Sequence, residues 1–266
     1  MSNQFSDPIK KIITEVAEVA GYLWQRGWAE RNAGNISVCL DEVPKADIPG
    51  DYQPFFISLP GNFPDVAGKC FLVTATNKRM RDLARQPMKN AVIIRVSDDG
   101  SGFNIISHFG KTDLRPTSEL ATHLAVHSMI ARRKTSERTV MHSHPTELTA
   151  MTQFRELCDE KRLNGILWGM HPETRIFVPA GVGFVPYFLP GTPHAGEETA
   201  KALKDHKAAL WEKHGLFAIG DSPSETFDLT DILAKSASIY FLCRSTGREP
   251  EGLTESQAEE LGKIKF

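Results

Sequence analysis

Residues 92–106, VIIRVSDDGSGFNII, hold two apolar β-branched runs around a polar turn. Val92–Val96 and Phe103–Ile106 read as strands, and Ser97-Asp98-Asp99-Gly100-Ser101-Gly102 between them is a hairpin turn. A hairpin makes an antiparallel pair, so this stretch argues against a sheet built from regular β-α-β units. Working outward, Phe71–Thr74 and Thr139–His144 read as further strands, and Asn77–Arg85 and Pro145–Phe154 as helices. Gly183–Val185, Gly215–Ile219 and a short Ile36–Leu40 complete the clear strands, with Ile176–Val178 expected as one more. Apolar residues from Pro8 to Trp28 recur at helical spacing, with Asp7 as the expected N-cap and a stop near Gly27. Further helices are expected from Thr117 or Ser118 through Ile130, from Gly196 to Leu210 and from Ser224 to about Ser245. Thr254 with Gln257 predicts a capping box for a terminal helix. Residues 41–69, rich in Pro, Gly and Asp, read as a long loop with a little extended structure. The whole is expected to be one α+β domain over residues 1–266, a mostly antiparallel sheet flanked by helices.

Composition narrows the function. With 31 Lys+Arg against 33 Asp+Glu the net charge is -2, and no basic footprint for nucleic acid appears. The four cysteines form no C-x-x-C pair, which suits a reducing compartment and disfavours a cysteine zinc cluster. The N-terminus lacks the apolar run of a signal peptide, and no apolar stretch is long enough to span a bilayer, so a cytoplasmic location without membrane contact is expected.

Chemistry is most visible at Val140-Met141-His142-Ser143-His144. Strand residues two apart share a face, so His142 and His144 can grip one metal, and neutral imidazoles suit zinc. Alone, the pair reads more readily as two half-exposed strand histidines. His214, before Gly215, is the best candidate for a third ligand. A competing set is Glu119, His123 and His127, which share one helix face and could instead fill the groove between helix and sheet. Glu119 itself suits the first turn of a helix, or a base beside a metal. Two polar loops, Thr74–Lys78 and Asn32–Asn35, could collect a phosphate on free N–H groups and hydroxyls.

Taken together these pieces resemble the class II aldolase/adducin family from about Ile12 to Ser238. The landmarks are Gly27-Trp28, Glu30-Arg31-Asn32 and Gly34-Asn35, then Pro116-Thr117-Ser118-Glu119-Leu120, Met141-His142-Ser143-His144, Gly181-Val182-Gly183, Pro190-Gly191-Thr192, His214-Gly215 and Glu225-Thr226-Phe227. The resemblance implies a three-layer αβα fold assembled as a homotetramer with sites between subunits. It implies one zinc per subunit on His142, His144 and His214, with Glu119 as catalytic base. Asn32, Asn35, Thr76, Asn77, Thr117 and Ser118 would bind the sugar phosphate, and Glu173, on an expected projecting loop at 168–173, would reach a neighbouring subunit's site. The implied activity is reversible aldol cleavage of L-rhamnulose 1-phosphate, toward which the landmarks around Trp28 and Trp211 lean. Fuculose-phosphate, pentose-phosphate and thiosugar-phosphate chemistry are the alternatives within the family. A non-catalytic adducin-like module is the alternative outside enzymes, and loss of the histidines would mark it. One departure stands out: close relatives carry a glycine-serine-glycine turn where this chain has Ala75-Thr76-Asn77. Asn tolerates left-handed backbone angles, so the turn survives provided Ala75 needs none.

Overall fold

A computed structural model describes residues 5–49, 55–107 and 113–264; His108 lies outside them. The strands are β1 (Asn35–Asp41), β2 (Ile57–Ser58), β3 (Cys70–Thr74), β4 (Ala91–Val96), β5 (Gly102–Ile105), β6 (Thr139–Ser143), β7 (Val182–Val185), β8 (Ala208–Trp211) and β9 (Gly215–Gly220). The helices are α1 (Asp7–Gln25), α2 (Met80–Leu83), α3 (Leu120–Arg133), α4 (Thr146–Met151), α5 (Glu160–Met170), α6 (Pro172–Phe177), α7 (Pro193–Ala202), α8 (Pro223–Arg244) and α9 (Glu255–Leu261). The strands form one nine-stranded sheet in the order β2-β5-β4-β3-β1-β6-β9-β8-β7. Among the described residues only β7 and β8 pair in parallel, so the mostly antiparallel α+β expectation holds.

Strand alternation divides the core between two faces. Ile36, Val38, Leu72, Ile93 and Met141 meet α1 on one face, and Leu210, Leu216 and Ala218 meet α4, α5 and α8 beside them. The opposite residues, Val140, Phe217, Ile219, Phe71, Val73 and Ile94, pack against α3 and α7. Two helical layers thus enclose the sheet. Truncating a fully buried leucine such as Leu23 or Leu233 to alanine costs about 2–5 kcal/mol in such a core.

Several local expectations need correction. Ser6, not Asp7, is the N-cap of α1, and Asp7 opens the first turn. Trp24, one of the apolar residues between Pro8 and Trp28, is exposed on the surface. The helix expected over Asn77–Arg85 is a single turn at Met80–Leu83, because Asn77 is left-handed and Arg79 extended. Thr146–Met151 likewise falls short of the expected Pro145–Phe154. Ile176–Val178 is not a strand: Pro172 starts α6, and buried Thr174 bonds the Ser236 hydroxyl of α8 at 2.7 Å. The helix expected to reach Leu210 ends at Ala202, and Ala208–Trp211 is instead a strand, buried throughout between β7 and β9. Pairing on both edges overrides the helical propensity of that Ala/Leu run. Nor do residues 168–173 form a projecting loop, since α5 runs to Met170 and α6 begins at Pro172. The Thr254–Gln257 capping box is present as expected.

Candidate active site

Three adjacent central strands align one row across the sheet: Asn35 on β1 pairs with His142 on β6, which pairs with Phe217 on β9. All three side chains therefore stand on the α3 face. His144 follows β6, and His214 lies in the turn between β8 and β9 rather than at the helix end expected for it. That turn is tight because Lys213 adopts φ 58°, and it can close on β6 because Gly215 has no side chain. A Cβ at Gly215 would sit 2.4 Å from the Ser143 carbonyl oxygen and 2.8 Å from the His144 ring. The ligand-capable atoms of His142, His144 and His214 consequently lie within 4.8 Å of one another.

Their chemistry fits a metal. His142 Nδ1 lies 3.1 Å from the Leu216 carbonyl and must donate to it, which leaves Nε2 as a bare lone pair. His144 Nδ1 donates likewise to the Glu30 carboxylate at 2.8 Å. The two Nε2 atoms lie 3.2 Å apart, and with both rings donating through Nδ1 a shared metal ion would be held by both lone pairs. His214 Nδ1 is buried without a hydrogen-bond partner. Burial and the neighbouring rings hold His142 well below the ordinary imidazole pKa and bring His214 down to about 4, so both are unprotonated near neutrality. Trp211 and Phe217 wall the cluster, with Phe217 stacked on His142 at 4.4 Å.

Glu119 occupies the N-cap position of α3, where neither Thr117 nor Ser118 caps as expected. Thr117 Oγ1 instead accepts from the Glu119 N–H at 3.3 Å. The Glu119 carboxylate takes a hydrogen bond from Asn35 Nδ2 at 2.8 Å and lies 3.9 Å from His142 Nε2. Burial pushes its pKa up, opposed by the Asn35 bond. A carboxyl so poised can hold and release a proton beside a metal.

Asn32, Asn35, Thr76, Asn77, Thr117 and Ser118 all line the same cavity of about 160 Å³ as Glu119 and the three histidines. Asn77 takes the left-handed conformation with φ 58°, and Ala75 is not among the positive-φ residues, so the departure from glycine strains nothing there. Two of the amides in this loop are already engaged. The N–H groups of Ala75 and Thr76 donate to Asn90 and Arg115 carbonyls, both at 2.8 Å. Side-chain hydroxyls and amides are left to meet an anion, and no Lys or Arg lines the cavity among the described residues.

Two groups of expected residues lie elsewhere. Glu173, in the first turn of α6, pairs with His171 at 3.0 Å and does not line its own chain's cavity. His123 and His127 do not join the metal-capable cluster; they fill the groove between α3 and the sheet. The sequence reading gave no role to Glu30 or Ser37. Glu30 sat within a recognised landmark, but its partner is 114 residues away.

A profile of the class II aldolase and adducin N-terminal domain matches residues 14–241. A rhamnulose-1-phosphate aldolase from Bacteroides thetaiotaomicron is 40% identical over 95% of this chain and 93% of its own length. Another, from Listeria monocytogenes, is 36% identical over 94% and 92%. The crystal structure of a sugar-phosphate aldolase from Thermotoga maritima superposes with a TM-score of 0.79 at 32% identity, covering 92% of this chain and 99% of that one. An L-fuculose 1-phosphate aldolase, 16% identical with a TM-score of 0.63, shares the fold. The fold, the histidine cluster and these full-length relatives agree: this chain belongs to the class II aldolase and adducin family.

Proposed function

We propose that the chain is a single-domain class II aldehyde-lyase that reversibly cleaves L-rhamnulose 1-phosphate into dihydroxyacetone phosphate and L-lactaldehyde. The observation that carries this reading is the convergence of three imidazoles on one cavity beside a buried carboxylate. Relatives of that name spanning more than nine-tenths of the chain support the substrate. We take the metal to be zinc, the usual occupant of a three-histidine site. Held by His142, His144 and His214, it would supply Lewis acidity toward the ketose carbonyl and its neighbouring hydroxyl.

The chain's own groups do the rest. Asn32, Thr76, Asn77, Thr117 and Ser118 grip the phosphate end with neutral donors and hold the reacting bond in register. In cleavage the bond between carbons three and four breaks, and its electron pair stays with carbon three. The carbon-four hydroxyl gives its proton to solvent water as the aldehyde forms, and Glu119, itself protonated from solvent, delivers a proton to carbon three, so the aldehyde leaves neutral. In synthesis Glu119 removes the same proton.

Assembly follows the family as a homotetramer with sites between subunits. Glu173, which does not line its own chain's cavity, then serves a neighbour's site at the aldehyde end. Mixed tetramers of Glu119→Gln and Glu173→Ala chains should regain activity that neither parent has; no regain would return Glu173 to the surface.

The deciding assay compares rhamnulose 1-phosphate with fuculose 1-phosphate on metal-loaded protein. A kcat/KM at least about tenfold higher for rhamnulose 1-phosphate is expected. A preference for fuculose 1-phosphate would reassign the substrate, and a metal-loaded protein inert to both would favour the assembly module.

A further inference from the structure

We propose that His123, held by Ser37 and His127, acts through Asn35 to fix the orientation of the Glu119 carboxylate. The inference rests on Glu119 being the base, as proposed above. Five buried side chains make one continuous run. The His127 Nε2 lies 2.8 Å from Ser37 Oγ, and Ser37 Oγ lies 2.7 Å from His123 Nδ1. His123 Nε2 meets Asn35 Oδ1, and Asn35 Nδ2 donates to Glu119 Oε2 at 2.8 Å. His123 is wholly buried and His127 is 3% exposed, so water does not compete for these bonds.

The chemistry of the groups sets a direction. Ionised Glu119 can only accept, so Asn35 must turn its NH2 toward it and its carbonyl toward His123. A carbonyl also only accepts, so His123 carries its proton on Nε2. Burial keeps both imidazoles neutral, His123 with a pKa held down to about 3. His123 Nδ1 is then a lone pair that receives the single Ser37 hydroxyl proton. Ser37 oxygen in turn accepts from His127 Nε2. Every donor in the run points toward Glu119. An amide does not pass protons along, so the run orients the carboxylate rather than feeding it.

The need for such a device lies in Asn35. Without His123, the carboxylate alone selects between the two amide orientations, and the flipped form sets a carbonyl oxygen against it. Glu119 would then turn away from the cavity or hold its proton too tightly. His123 and Ser37 are therefore positioning residues that touch no substrate.

Nitrogen-15 spectra of histidine-labelled wild-type protein read the tautomers directly, with or without metal. His123 and His127 should both be neutral and carry hydrogen on Nε2; hydrogen on His123 Nδ1 would overturn the proposal. In kinetics, His123→Leu keeps much of the volume and removes the donor. It should lower kcat roughly 10–100-fold, the usual loss when the partner of an active-site group is removed. KM should stay within about twofold and one metal per chain should remain, because the ligands are untouched. His123→Gln, whose amide can reach Asn35, should recover most of the rate. Equal losses in both variants would mean packing alone and would sink the idea. Glu119→Gln separates the two claims: unimpaired turnover there removes Glu119 as base, whereas a dead Glu119→Gln beside a fully active His123→Leu rejects only the positioning run. Should His123→Leu fail to fold, the wild-type spectrum still decides.

Discussion

Two groups of histidines stand on the same face of one sheet, and both touch Phe217. His142 stacks on its ring at 4.4 Å, and His123 meets it edge-on at 5.7 Å. Both groups include rings that burial keeps neutral. What separates them is the partner of each nitrogen. His142 and His144 each give Nδ1 to an acceptor and leave Nε2 aimed at an open cavity. His123 has both nitrogens engaged, and His127 Nε2 is held by Ser37. Helical spacing made Glu119, His123 and His127 a plausible ligand set. A ligand, however, is an imidazole whose second nitrogen has been left without a hydrogen-bond partner, and sequence spacing carries no information about that.

The sharpest way to break the contrast is metal content. His144→Ala should lose its metal and fall to background activity, whereas His127→Gln should keep one metal per chain. Metal following His123 or His127 instead would invert the assignment. Next in size is Glu119→Gln, expected to lose about 10²–10⁴-fold in rate with its metal in place. Proton exchange into dihydroxyacetone phosphate isolates that step, and unchanged exchange would release Glu119 from its role.

Glu30→Ala tests the outer partner of His144. Metal affinity should weaken roughly 10–100-fold, because the ring loses the acceptor that fixes its tautomer. Competition with a chelator measures this, and wild-type affinity would show that His144 needs no such help.

A further effect concerns the stability of metal-free protein against pH. His123 is held down to about 3 in the fold against 6.5 for an unperturbed imidazole. As pH falls below about 6.5 the unfolded chain takes up the proton first, so stability is full above that value and drains away toward about 3. Denaturant midpoints should therefore fall with acidification, and fall less steeply in His123→Gln. Parallel slopes would mean that His123 is not the neutral buried group described here.

Much of this was legible beforehand, for identifiable reasons. The hairpin over residues 92–106 declares itself because turn chemistry and alternation are local. The His142–His144 pair and the cavity-lining set from Asn32 to Ser118 were readable because each sits in a short motif. Residues 172–177 and 208–211 were misread because distant contacts decide them: Thr174 leans on Ser236, and Ala208–Trp211 is a strand only between its two neighbours. Glu30 and Ser37 went unassigned for the same reason. Their partners are brought to them by sheet register, which no window of sequence displays.

The spacing of the cluster along the chain has a consequence for biosynthesis. Glu30 must wait 114 residues for His144, and His142 a further 74 for the carbonyl of Leu216. A nascent chain that ends before β9 holds two imidazoles with neither the third ligand nor the acceptor that sets the tautomer of His142. Long-range closures of this kind come late in folding. A complete site therefore requires a chain that extends past residue 216 with its central strands paired, and metal loading is expected no earlier than that point.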